Sequence, residues 1–259
     1  MAETEQQELS LHMLDLRLDS RRLTELARAL HLPLNQADDG YLCHCALGEL
    51  FGDDAPGPFS IEGRNGRALR VLAYADRPAD RLQQVARSFA GPMAYRICDW
   101  PKLASKPMPD GFEPGTLLGF NLRACPVVRK ASAGKYHSAG AEVDAFLSRV
   151  WEVDDPEVPV DREEVYRCWL VKQFQRRGGA EPRADSIRLD RFSLERMLRR
   201  SGGDDRKSTV IKRPAATLTG RVEVSEPAAF NELLRRGIGR HTGFGFGMLK
   251  LRPPGGERA

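Results

Sequence analysis

Tyr41-Leu42-Cys43-His44-Cys45 places four chemically capable side chains within five residues. Histidine exchanges a proton near neutral pH, and a tyrosine hydroxyl can orient a reacting group or donate a hydrogen bond to an anion. Residues three apart on a helix share a face, so Tyr41 and His44 can address one bond. The thiols read differently. Adjacent side chains on a helix or strand diverge, so Cys43, His44 and Cys45 do not make a metal set. The remaining cysteines, Cys98, Cys125 and Cys168, are scattered and no C-x-x-C pair occurs. This is neither a disulfide framework nor a structural zinc site, and no metal or other cofactor is expected. On spacing alone, Tyr41 and His44 fit helix packing more readily than a site.

A second concentration lies near the C-terminus, where Arg240-His241-Thr242-Gly243-Phe244-Gly245-Phe246-Gly247 leads into a final strand. Glycines such as Gly243 and Gly245 let backbone N–H groups approach a phosphate without a Cβ in the way, with Arg240 and His241 alongside. A turn that needs glycine only to pack the last strand would look the same. The G-x-x-x-x-G-K-[ST] order of a Walker loop is absent, and a strand rather than a helix follows, which argues against a dinucleotide fingerprint.

The elements that must position these residues follow from pattern. Leu14, Leu16 and Leu18 alternate with Asp15, Arg17 and Asp19, a strand over 9–19. Ser20 is read as the cap of a helix over 21–32, and Asp39 as the cap of a helix over about 40–51 that carries Tyr41 and His44. Two strands around the turn at Arg64–Arg67, a helix over 78–88 and a strand over 93–98 complete a β-α-β-β-α-β order. Residues 102–114 hold Pro107, Pro109 and Pro114 and read as a linker. The second half repeats the theme: a strand over 115–129, helices near 141–151 and 161–177, extended stretches over 183–189, 191–198 and 208–211, a strand over 216–224, a helix over 227–236 and a closing strand over 248–251. The expected class is α+β, two tandem ferredoxin-like (RRM-like) domains over 9–110 and 115–254.

The chain's 259 residues suffice for a buried core, and 41% hydrophobic with 29% charged residues excludes a disordered chain. No window approaches the ~18 apolar residues of a membrane span, and the acidic start is not a secretory signal. A cytoplasmic location is expected. The net charge of +4 conceals an asymmetry: 18 Lys and Arg face 23 Asp and Glu in residues 1–160, against 22 and 13 in residues 161–259. That layout fits a polyanion held by the second half, or a solvated basic face.

The C-terminal loop resembles the glycine-rich loop of CRISPR-associated repeat-processing endoribonucleases, most closely the CasE branch found in type I-E surveillance complexes. Tyr41-Leu42-Cys43-His44 is similar to the Tyr-x-x-His of that branch's catalytic helix. Phe120-Asn121-Leu122-Arg123-Ala124-Cys125-Pro126 is similar to the strand that opens the family's second domain, with Cys125 where asparagine is usual. The helix bearing Trp169 and the stretch 220–251 fall in the family's order. The helices over 21–32 and near 141–151 look like insertions.

The resemblance implies metal-independent RNA cleavage by the 2′-hydroxyl, leaving a 2′,3′-cyclic phosphate and a 5′-hydroxyl. His44 would act as general base and Tyr41 would assist. Binding of a CRISPR repeat stem-loop would fall to Arg188, Arg191, Arg196, Arg199, Arg200, Arg206, Lys207, Lys212 and Arg213, with Arg240, His241, Gly243 and Gly245 at the phosphates. A-form duplex offers mainly shape and phosphates to such side chains. His137, in a Gly/Ser-flanked loop, is a further RNA contact, whereas His12 and His31 read as structural or exposed. The partners implied are the repeat RNA, its mature guide product and the other effector-complex subunits. The competing reading is a non-catalytic RNA-binding subunit that caps a ribonucleoprotein without cutting.

Overall fold

Strand β1 (His12–Asp19) alternates buried and half-buried residues along its whole length, so Leu14, Leu16 and Leu18 share one face. Asp19 then caps helix α1 (Ser20–Ala29), accepting from the backbone N–H groups of Arg21 and Arg22 at 2.9 and 3.0 Å. In the computed structural model, which describes residues 10–109, 111–153, 155, 157–200 and 208–255, both early caps sit one residue before the expected ones. Asp19 replaces Ser20, and Asp38 replaces Asp39 at the start of α2 (Asp39–Phe51). In each case the preceding carboxylate reaches a free N–H of the first turn.

A hairpin follows, β2 (Phe59–Asn65) and β3 (Ala68–Ala75), turning at Gly66 and Arg67. Helices α3 (Ala79–Phe89) and α4 (Pro92–Tyr95) lead to β4 (Ala104–Pro107). Two expectations fail here. The stretch 93–98 is not a strand: α4 starts at Pro92, and Cys98 makes only an isolated bridge to Leu18. The closing strand instead lies inside the proline-bearing stretch read as a linker. The sheet order β2-β3-β1-β4 explains this, because β4 is an edge strand, where proline is tolerated. The arrangement is ferredoxin-like, with α1 and α2 both filling the first helical connection.

The second unit repeats the topology. Pro126 breaks the expected strand over 115–129 into β5 (Leu117–Ala124) and β6 (Val127–Arg129). Residues read as the start of a helix form β7 (Glu142–Asp144), paired with β6, before α5 (Ala145–Val153). Helix α6 (Arg162–Arg177), β8 (Ala180–Pro182), β9 (Arg188–Arg200), β10 (Ser208–Val224), α7 (Pro227–Arg236) and β11 (Leu249–Arg252) complete it. The sheet runs β11-β5-β10-β8, with β9 pairing β10.

The extended stretches over 191–198, 208–211 and 216–224 are thus one long hairpin, whereas most of 183–189 is not extended: a 3-10 turn at Ala184–Ser186 precedes β9. Pro214 does not interrupt β10, since there β9 is its only neighbour and half of the backbone is free of ladder bonds. A register shift beside Thr217 leaves Asp190 as an extra residue in β9.

Each unit has its own apolar core, but the boundary is shared. Leu11 and Tyr74 of the first unit belong to the core built by β5, β10, α6 and α7. The buried Tyr74 hydroxyl donates to the Leu249 carbonyl at 2.8 Å, and Arg235 of α7 pairs with Asp76. Among the described residues, no helix is long and apolar enough to cross a membrane.

Candidate active site

The candidate pair on α2 meets the glycine-rich loop directly. Tyr41, buried in the first turn of α2, stacks on Phe244 with ring centroids 6.0 Å apart and planes 12° apart. His44, one turn later and exposed at the rim, lies 4.6 Å from the same ring. The two side chains share a face as their spacing requires. They line a cleft of about 350 Å³ whose other walls are Glu142, Met197, Leu198, Arg199, Ile211, Arg240 and His241. The cleft is the junction of α2, the β9–β10 hairpin, β7 and the loop after α7.

Several contacts fix this junction. Asp38 uses both carboxylate oxygens: one accepts the N–H of Tyr41 at 2.9 Å and the other the N–H of Leu198 at 3.2 Å. The cap of α2 is thereby also a tie to the hairpin. Gly40 lies flat against the loop, where a Cβ would fall 2.4 Å from the Phe244 carbonyl oxygen. Arg123 holds the loop from the sheet side. Its guanidinium donates to the Gly245 carbonyl at 2.8 Å, pairs with Glu195 and lies 4.1 Å over the Phe246 ring. Gly245 itself adopts φ +83, a left-handed conformation that glycine takes without penalty.

Glu142 gathers the positive charge of the cleft. Its side chain is 8% exposed and receives Arg213 at 3.0 Å, Arg240 at 2.5 Å and His241 at 3.0 Å. Burial by itself would raise this carboxyl, but His241, Arg240 and Arg213 hold it below the usual carboxylate range. Although the residue is exposed at the rim, desolvation of its ring against the loop lowers the His44 imidazole below its ordinary value, opposed by a backbone hydrogen bond with Gly243 that favours the charged form. His241 is also lowered by burial, opposed by Glu142, with Arg213 and Arg240 adding to the decrease. Both imidazoles therefore favour the neutral form at neutral pH.

The other expected residues divide into groups. Tyr41, His44, Arg199, Arg240 and His241 come together in the cleft, and Gly243 sits so close to His44 that its Cβ would lie 3.5 Å from Nδ1. Arg196 and Lys212 face each other across the hairpin as exposed cations, and with Arg199 they have no ion pair among the described residues. Arg213 turns inward to Glu142 and is not offered to solvent. Arg188 donates to the carbonyls of Asp185 and Ile187. Arg191 lines a separate polar cleft between β2 and the second sheet, with Arg123 and Lys250. Arg200 ends β9, while Arg206 and Lys207 lie outside the described residues. Cys43 is buried in the first core while His44 faces out, as diverging neighbours should. His12 is buried, His31 exposed, and His137 packs near Trp151.

Sequence reasoning missed Asp38, Gly40, Glu142 and Phe244. Gly40 was visible only as part of an Asp-Asp-Gly turn. Glu142 was hidden inside an expected helix, where it reads as one of two carboxylates, with Asp144, ahead of an apolar run.

The fold and cleft define a protein of two ferredoxin-like units whose tyrosine–histidine pair faces a glycine-rich loop. The chain belongs to the CRISPR associated protein family, whose model matches residues 11–253. Among solved structures it is similar to Thermus thermophilus Cse3 bound to an RNA representing a pre-cleavage complex, at 18% identity and TM-score 0.61, covering 94% of this chain and 100% of that one. It is also similar to Cas6e from Escherichia coli K-12, at 18% identity and TM-score 0.50 over 93% and 99% of the two chains. A chain of a CRISPR RNA-guided surveillance complex matches at 17% identity and TM-score 0.53 over 93% and 99%. No curated protein matches the chain.

Proposed function

We propose that the chain is a metal-independent endoribonuclease that binds a CRISPR repeat stem-loop, cuts precursor CRISPR RNA at the base of the stem and stays bound as an effector-complex subunit. One observation carries this reading: Tyr41 and His44 stand around Phe244 in a cleft at the foot of the cationic hairpin. Fold-level likeness to an endoribonuclease solved with RNA and to a surveillance-complex chain supports it.

The stem lies along β9 and β10, where Arg196, Arg199 and Lys212 meet its phosphates; two like charges directly opposite on a hairpin are unfavourable until an anion sits between them. In the cleft, the 2′-oxygen attacks the adjacent phosphorus and the P–O5′ bond breaks. His44, neutral because burial lowers it, takes the 2′-hydroxyl proton, and Tyr41 orients the reacting group.

The test is incubation of a repeat RNA with the protein in excess EDTA, beside a strand with one 2′-deoxy nucleotide just upstream of the cut. Cleavage of the all-RNA strand alone, lost in His44→Ala with repeat binding retained, is the expected result. Tight binding without cleavage would make this a capping subunit, and cleavage of both strands would refute the 2′-hydroxyl route.

A further inference from the structure

We propose that His241 is the general acid of this cleavage and that Glu142 is its positioning residue. The inference rests on the endoribonuclease reading above, which leaves the departing 5′-oxygen without a proton donor.

The geometry points to His241 for three reasons. First, it lines the same cleft as His44, and the two imidazoles lie on one phenyl ring, with centroids 6.5 and 4.6 Å from that of Phe244. Two proton-transfer groups lining one cleft of about 350 Å³ can address two oxygens of a single phosphodiester. Second, Nε2 of His241 stands 3.0 Å from a Glu142 oxygen. That bond fixes the ring and commits Nε2, leaving Nδ1 for a ligand, and a carboxylate partner stabilises the imidazolium an acid must form. Arg213 and Arg240 on the same carboxylate keep it ionised and accepting. Third, His241 holds φ +63 and ψ +29, a left-handed conformation unusual for a residue with a Cβ. Backbone strain of this kind persists where surrounding structure enforces it, and it collects at functional sites.

The step balances with two imidazoles. As O2′ bonds to phosphorus, its proton passes to His44. As the P–O5′ bond breaks, its electron pair stays on O5′, which takes a proton from the imidazolium form of His241, a form that burial disfavours in the free protein and that Glu142 and a bound phosphodiester favour. Afterwards His44 is charged and His241 neutral, and exchange with water restores both.

The variant that tests this is His241→Asn. Asparagine tolerates left-handed backbone and can still donate to Glu142, but it has no nitrogen that titrates. Two substrates are used: the repeat RNA, and the same RNA with sulfur in place of the bridging 5′-oxygen at the cut. A thiolate departs without a proton. The expected result is cleavage of the oxygen substrate slowed by about 10² or more, with the sulfur substrate cut at the wild-type rate. Glu142→Gln should show the same selectivity to a smaller degree, and His44→Ala should be slow on both substrates. Equal slowing of both substrates by His241→Asn would make His241 a phosphate-binding or structural residue, and an unchanged rate on the oxygen substrate would give it no role. If the wild-type protein cuts neither substrate, the endoribonuclease reading itself falls.

Discussion

Gly40→Ala probes how closely α2 and the glycine-rich loop are fitted. The added Cβ would lie 2.4 Å from the Phe244 carbonyl oxygen, 2.9 Å from the Asp38 carboxylate and 3.2 Å from the Phe244 carbonyl carbon. The closest of these is backbone, so relief cannot come from a side-chain rotamer. Ordinary contact begins near 3.4 Å, so helix and loop must part by about 1 Å. Overpacking of this sort costs about 1–3 kcal/mol, and alanine in place of glycine returns up to about 1 kcal/mol of helix propensity. The net loss is about 0–3 kcal/mol, at most a drop of roughly 6–12 °C in Tm, so the fold survives. Chemistry should not. Phe244 carries the rings of both Tyr41 and His44, and a displacement of about 1 Å costs on the order of 10²-fold in rate. Single-turnover cleavage of a repeat RNA, with Tm and repeat affinity measured on the same preparation, reads all three quantities. A near wild-type rate would refute the claim that this packing sets the geometry of the cleft.

Three further outcomes are expected. His44 must be neutral to accept a proton and burial lowers its pKa, so the acid limb of kcat/KM should have its midpoint below 6.5; a midpoint above 6.5 would contradict the assignment. Replacing Arg196 and Lys212 with alanine should reduce the salt slope of repeat binding by about 0.7–0.9 for each phosphate that these cations neutralise, read from affinities across a salt series, and an unchanged slope would return both to a solvated face. Glu142→Ala strands the inward-facing Arg213 and His241 without their carboxylate, a loss of about 3 kcal/mol after allowance for the half-exposed Arg240, seen as a Tm lower by roughly 6–12 °C. A Tm within error of wild type would show that water already serves these cations.

Much of the architecture could be read because its signals are local. The alternation through Leu14, Leu16 and Leu18 is a period-two pattern that only a half-buried strand satisfies, and Pro227 with Gly237 brackets α7 at both ends. That Tyr41 and His44 share one face of α2 was legible in their spacing, while their proposed role rests on a family likeness. What failed to show was tertiary. Nothing around Ala104–Pro107 marks a strand; the open edge of β1 recruits it. Glu142 acquires its role only when β6 pairs with β7 and brings it to Arg213, 71 residues away. Phe244 reads as an apolar residue among glycines until α2 is laid against it. Arg213 looked like its neighbours because a run of cations does not announce which member faces inward.

The hydroxyl of Tyr74, joined to the Leu249 carbonyl inside a core that also holds Leu11, has a consequence for mechanics. Hinge opening between the two sheets would uncover these apolar side chains and exchange a buried hydrogen bond for bonds to water, a net loss of about 0.5–1.5 kcal/mol for the polar groups alone. The shared core therefore opposes a jaw-like parting of the two sheets.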